Sequence, residues 1–161
     1  MRLIQSKTDF IGYRNQFDRV ARLLERLFHD YADEYAFQDD VFTFFMHCFH
    51  LADWVEHDPV APSKSKRKVR QALAVSTLFP KCRDIANGSK HLHLNDPKSG
   101  KGARYHHVEM TQRHGSMSWN YDVVFDDGTG APLSALRLAL ECVNEWRTIL
   151  KAAGLSTRRL G

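Results

Sequence analysis

A chain of 161 residues, 43% hydrophobic and 26% charged, has the size and make-up of one globular domain around a single core, which excludes wholesale disorder. The formal charge of +4 permits a polyanionic partner without requiring one. No run approaches 18 apolar residues, and the opening MRLIQSKTDF lacks the apolar stretch of a signal peptide, so the expectation is a cytoplasmic protein with no membrane contact.

In chain order, Thr8 or Asp9 can cap a first helix. Phe10, Phe17, Val20, Ala21, Leu24, Leu27, Phe28 and Tyr31 then recur at three- and four-residue spacing and predict helix to about Tyr35. Gln38, Asp39 and Asp40 form an acidic junction before a second helix that reaches His57. Its stripe of Val41, Phe44, Phe45, Cys48, Leu51 and Val55 is widened by Phe42, Phe49 and Trp54, which predicts the most buried element of the fold. Pro59 and Pro62 end it, and SKSKRKVR reads as a basic linker into a third helix through Ala72, Val75 and Leu78. Pro80 restarts the chain into a short fourth helix, CRDIANGSKHLHL. There Gly88, costing about 1 kcal/mol against alanine in a helix, predicts close approach to the second helix.

After a turn-rich loop at 95–102, RYHHVEMTQ and SMSWNYDVVF alternate and are rich in β-branched and aromatic residues. They predict an antiparallel hairpin around Arg113-His114-Gly115, followed by a turn at 126–130. Pro132 and Ser134 introduce a last helix with the stripe Leu133, Leu136, Leu140, Val143, Trp146, Ile149 and Leu150, stopped at Gly154. The fold class is therefore mainly α: a bundle of four or five helices with one antiparallel β-hairpin inserted before the C-terminal helix. It forms a single domain over 1–161, with 95–131 as the insertion and 156–161 as a frayed tail. A lone hairpin is marginally stable, so it must lie against the bundle or pair with another chain.

Three sets of residues could carry chemistry. On the second helix His47, His50, Trp54 and His57 are spaced i, i+3, i+7 and i+10, with Asp53 in reach of His50 and His57. That stripe suits metal ligation, a pH-poised acid/base pair or a polar seam, but it matches no zinc-helix pattern, and Cys48, Cys82 and Cys142 are odd in number with no CxxC pair. Reduced thiols, no metal and no cofactor are the expectation. On the fourth helix Asp84, Asn87 and His91 share a face opposite Ile85 and Leu92, which predicts that Asp84 and His91 meet His50, Asp53 or Trp54. Lys64, Lys66, Arg67, Lys68 and Arg70 lie within seven residues; such a cluster is enough for phosphate contacts, and with no aromatic residue interleaved it does not indicate base stacking.

A helical bundle carrying Arg83, the polar Asp84 and then His91 resembles the HEPN superfamily, whose motif is an arginine, a polar residue and, after a short spacer, a histidine. Seven residues separate Arg83 from His91, one more than the usual pattern. The resemblance implies a metal-independent ribonuclease with a site across a homodimer. Arg83, Asp84, Asn87, Lys90 and His91 would form its catalytic set, supported by His50, Asp53 and Trp54. His91 would take the 2′-hydroxyl proton and Arg83 or Lys90 would stabilise the phosphate. The alternative is a non-catalytic interaction or assembly module, in which the seam between the second and fourth helices is structural.

Overall fold

The computed structural model describes residues 12–88, 104–112, 119–126 and 131–157. These form helices α1 (Tyr13–Leu27), α2 (Glu34–His57), α3 (Ser63–Val75) and α4 (Leu78–Gly88), strands β1 (Arg104–Gln112), β2 (Trp119–Asp126) and β3 (Pro132–Ser134), and helix α5 (Ala135–Ala152). The fold is mainly helical with a hairpin before the last helix, as the periodicities predict. The predicted caps at Thr8 and Asp9 and the turns at 113–115 and 127–130 lie outside the described residues.

The first boundary differs from the reading of the sequence. Helix α1 ends at Leu27, and α2 starts at Glu34, where the Asp33 carboxylate accepts the Ala36 N–H at 2.8 Å. Apolar spacing runs on to Tyr31 because that residue, in the link, packs its ring edge-on against Phe37 with centroids 5.1 Å apart. Asp40 lies inside α2 and is buried. It accepts from Arg26 Nε at 2.7 Å and the Tyr31 hydroxyl at 2.7 Å, so its charge is paired instead of capping the helix.

SKSKRKVR is not a linker but the first two turns of α3. Ser65 and Val69, one turn apart, face inward and leave the cations outside. Pro80 lies in the first turn of α4, where its missing N–H has no helical acceptor to lose.

Helix α2 packs on each of the other four helices and on β2, burying Phe37, Val41, Phe44, Phe45, Cys48, Leu51 and Val55. It is nevertheless not the most buried element: α2 and α5 each bury eight residues, in lengths of 24 and 18. The inward face of α5 is Ala135, Leu138, Ala139, Cys142, Val143, Trp146, Ile149 and Leu150, and Leu140 of the predicted stripe is exposed. Gly154, with φ of +76°, closes α5 as its N–H meets the Lys151 carbonyl and the Leu155 N–H meets that of Leu150.

The hairpin has a third, short strand. All three run antiparallel in the order β1-β2-β3, with a bulge between Tyr105 and His107. One face of β2 (Tyr121, Val123 and Phe125) is buried against the bundle. Tyr121 stacks on Phe37 at 6.0 Å and Phe125 meets Phe45 edge-on at 6.0 Å. Docking on α2 supplies the apolar face that a free hairpin lacks.

Candidate functional site

The α2–α4 pair is where the sequence places its polar convergence, and the helices do pack. The Phe79 ring lies 5.5 Å from Phe49, and the Cys82 thiol donates to the Phe45 carbonyl at 3.5 Å. As α4 advances, its contacts move back along α2, so the helices are antiparallel. Asp84 and Asn87 therefore lie beyond Phe45, away from Asp53, which is about 12 Å further along α2 at 1.5 Å per residue. The predicted meeting of Asp84 with Asp53 is not formed.

Gly88 does not mediate the packing. It is exposed, and a Cβ there would meet nothing within 4 Å. The small aliphatic and thiol side chains Cys82, Ile85 and Ala86 make the buried face of α4 instead. Lys90 and His91 lie outside the described residues. Asp84 is buried at 2% exposure and has a partner; Arg83 is half-buried and makes no hydrogen bond or ion pair among the described residues.

The α2 stripe pairs within its own helix. His50 Nδ1 meets the Asp53 carboxylate at 3.2 Å, and His57 Nδ1 lies 2.9 Å from the Asp53 carbonyl. Both contacts are exposed, so no buried seam forms there. His47 differs, because it faces α1. Its Nδ1 accepts from Gln16 Nε2 at 3.2 Å, and burial, with Arg19 and His50 adding repulsion, lowers its pKa. Asp53, Trp54 and His57 line a cavity of about 290 Å³ with Gly12, Asp58 and Pro59 at the end of the bundle. Its wall is held by Asp58, whose carboxylate accepts the N–H groups of Tyr13 (2.9 Å), Val60 (2.8 Å) and Ala61 (3.1 Å).

The basic cluster divides in two. Arg70 pairs with Glu56 at 3.0 Å, and Lys68 Nζ donates to the Ala152 carbonyl at 3.3 Å, at the negative end of α5. The side chains of Lys64, Lys66 and Arg67 have no such partner among the described residues, and Lys64 and Arg67 are exposed.

One group escaped the sequence reading. Cys48, Cys82 and Cys142, separated by 34 and 60 positions, converge in the core with their Sγ atoms within 4.8 Å of one another. Spacing along the chain gave no hint of this. The available signal was that Cys48 belongs to the apolar stripe of α2, which turns it inward. Among the described residues no helix is long and apolar enough to cross a membrane. Comparison with known proteins finds no matching family model, curated protein or solved structure.

Proposed function

We propose that this protein binds RNA, with the outer face of α3 as the phosphate-binding surface. The observation that carries the reading is the set of three cations, Lys64, Lys66 and Arg67, left without a counter-charge among the described residues, on a helix anchored from behind by Ser65 and Val69. An unpaired cation releases a phosphate counterion without first breaking an internal ion pair, which Arg70 would have to do. Replacing Lys64, Lys66 and Arg67 with glutamine should weaken binding to single-stranded RNA and flatten its dependence on salt by about 0.7 per lost contact, about 2 in all. Unchanged affinity at every salt concentration would return α3 to a solvated face.

A second reading, HEPN-like ribonuclease action, is favoured by Arg83. A half-buried guanidinium that has no partner among the described residues, next in sequence to buried Asp84, supports a role in meeting an anion from outside. In this reading His91 takes the 2′-hydroxyl proton and Arg83 stabilises the phosphate, in a site completed by a second copy of the chain. RNA cleavage in the presence of EDTA should fall about 100-fold or more in His91→Ala and Arg83→Ala, while binding through α3 persists. Cleavage that both variants retain, or that wild type never displays, would leave binding as the whole function.

A further inference from the structure

Three cysteines are the chain's full complement, and they meet at one point. Cys48 comes from α2, Cys82 from α4 and Cys142 from α5, with exposures of 0, 1 and 3%. A cysteine used as a small hydrophobe can occupy any buried apolar position. Nothing in packing asks three from three helices to share one level of the core.

Around them stand aromatic side chains one helical turn away. Phe79 lies i−3 from Cys82 and Trp146 lies i+4 from Cys142, and these two rings meet edge-on at 6.5 Å, with Phe49 beside Phe79. The three Sγ atoms lie within 4.8 Å of one another. The side chains of Cys142, Cys82 and Trp146 are the polar neighbours of the Cys48 sulfur. These contacts favour ionisation of Cys48. Burial first, and then the neighbouring sulfurs, push Cys82 up, while the bond to Cys48 is the main cause that pushes Cys142 up.

We propose that Cys48, Cys82 and Cys142 form a binding site for a soft, thiophilic ion that takes three sulfur ligands and no fourth. With the three sulfurs within 4.8 Å of one another, a point between them lies at most about 2.8 Å from each; a metal–thiolate bond is about 2.3 Å, so each sulfur would move inward by about 0.5 Å or less. No histidine or carboxylate among the described residues joins the cluster. The nearby Glu145 carboxylate is held instead by the Ser76 hydroxyl, at 2.9 and 2.8 Å.

A structural zinc site takes four ligands and hard cations take oxygen, so the sulfur-only triangle selects by softness and coordination number. Copper(I) and trivalent arsenic meet both conditions. Copper(I) displaces thiol protons, which leave to solvent. Arsenous acid exchanges its three hydroxyls for the three sulfurs, the thiol protons leave with them as three waters, and no electron changes hands. The arsenic product is neutral, as a dry core requires, whereas residual charge on a copper centre would be offset in part by the Trp146 N–H.

The test is titration of the reduced full-length chain with chelator-buffered copper(I), with arsenite and with zinc, both on the folded protein and during refolding from denaturant, so that burial of the thiols cannot hide the site. One equivalent of copper(I) or of arsenite per chain is expected, with a melting temperature that climbs with ion concentration. Affinity should fall at least 100-fold in each of Cys48→Ser, Cys82→Ser and Cys142→Ser and be unchanged in His50→Ala. Where a serine variant fails to fold by circular dichroism, the alanine variant of the same position replaces it. No stoichiometric binding of either ion, or binding that survives the loss of any one cysteine, would overturn the proposal and leave the thiols as core packing. Zinc held as tightly as both would overturn the three-coordinate assignment.

Discussion

Gln16 commits His47 to one protonation state. Its Oε1 accepts from Arg19 at 3.0 Å, which aims its Nε2 at His47 Nδ1 and at the His47 carbonyl, 2.9 Å away. The ring nitrogen facing a donor must accept, so the imidazole is neutral with its proton on Nε2. Burial first, then Arg19 and His50, lowers the pKa of His47 below its usual 6.5. The unfolded chain therefore takes up a proton at a higher pH than the folded one. The stability associated with neutral His47 is complete above pH 6.5 and declines as pH falls from there through the folded pKa. Urea denaturation at pH 7.5 and 5.5 should show a larger loss for wild type than for His47→Gln, which cannot be protonated. Equal losses would mean that the acid sensitivity resides elsewhere.

Helix ends are set here by single polar side chains acting on two elements at once. The Ser76 hydroxyl accepts the N–H groups of Leu78 and Phe79, capping α4, and donates to the Glu145 carboxylate on α5. Ser76→Ala should lower stability by about 1 kcal/mol, the usual cost of a lost N-cap. It should also free Glu145, whose pKa is raised chiefly by burial; a chemical melt indistinguishable from wild type would show that the cap is replaced by water. Such links explain which boundaries were legible in the sequence. Ser134, ahead of α5, caps that helix by accepting the Arg137 N–H at 3.1 Å, as its position beside Pro132 predicts. The α1–α2 boundary was hidden because Tyr31 and Asp40, on either side of it, continue a helical apolar and polar rhythm through tertiary contacts. Similarly, SKSKRKVR reads as a linker because Ser65 and Val69 offer only two inward residues across its length.

At the level of the whole molecule, alternation in β2 announced a half-buried strand, and Tyr121, Val123 and Phe125 are its buried half. What alternation could not say was which surface covers it; the answer lies some 80 positions back, in Phe37 and Phe45. The antiparallel course of α4, which carries Asp84 away from Asp53, and the meeting of three distant thiols are likewise products of topology. Periodicity names the face of a helix that turns inward, but not the level at which a second helix crosses it.

The central place of α2 has a consequence for how the protein is made. Its buried face is completed by α5, and 95 positions separate His57 from Ala152. At roughly 5–20 residues per second, ribosomal synthesis leaves that face without its last partner for about 5–20 s. During that interval Phe44, Phe45, Cys48 and Leu51 depend for cover on α1, α3, α4 and, once it is made, β2. A nascent chain with so apolar a helix waiting on its final segment is a natural client for chaperones that hold exposed hydrophobic surface.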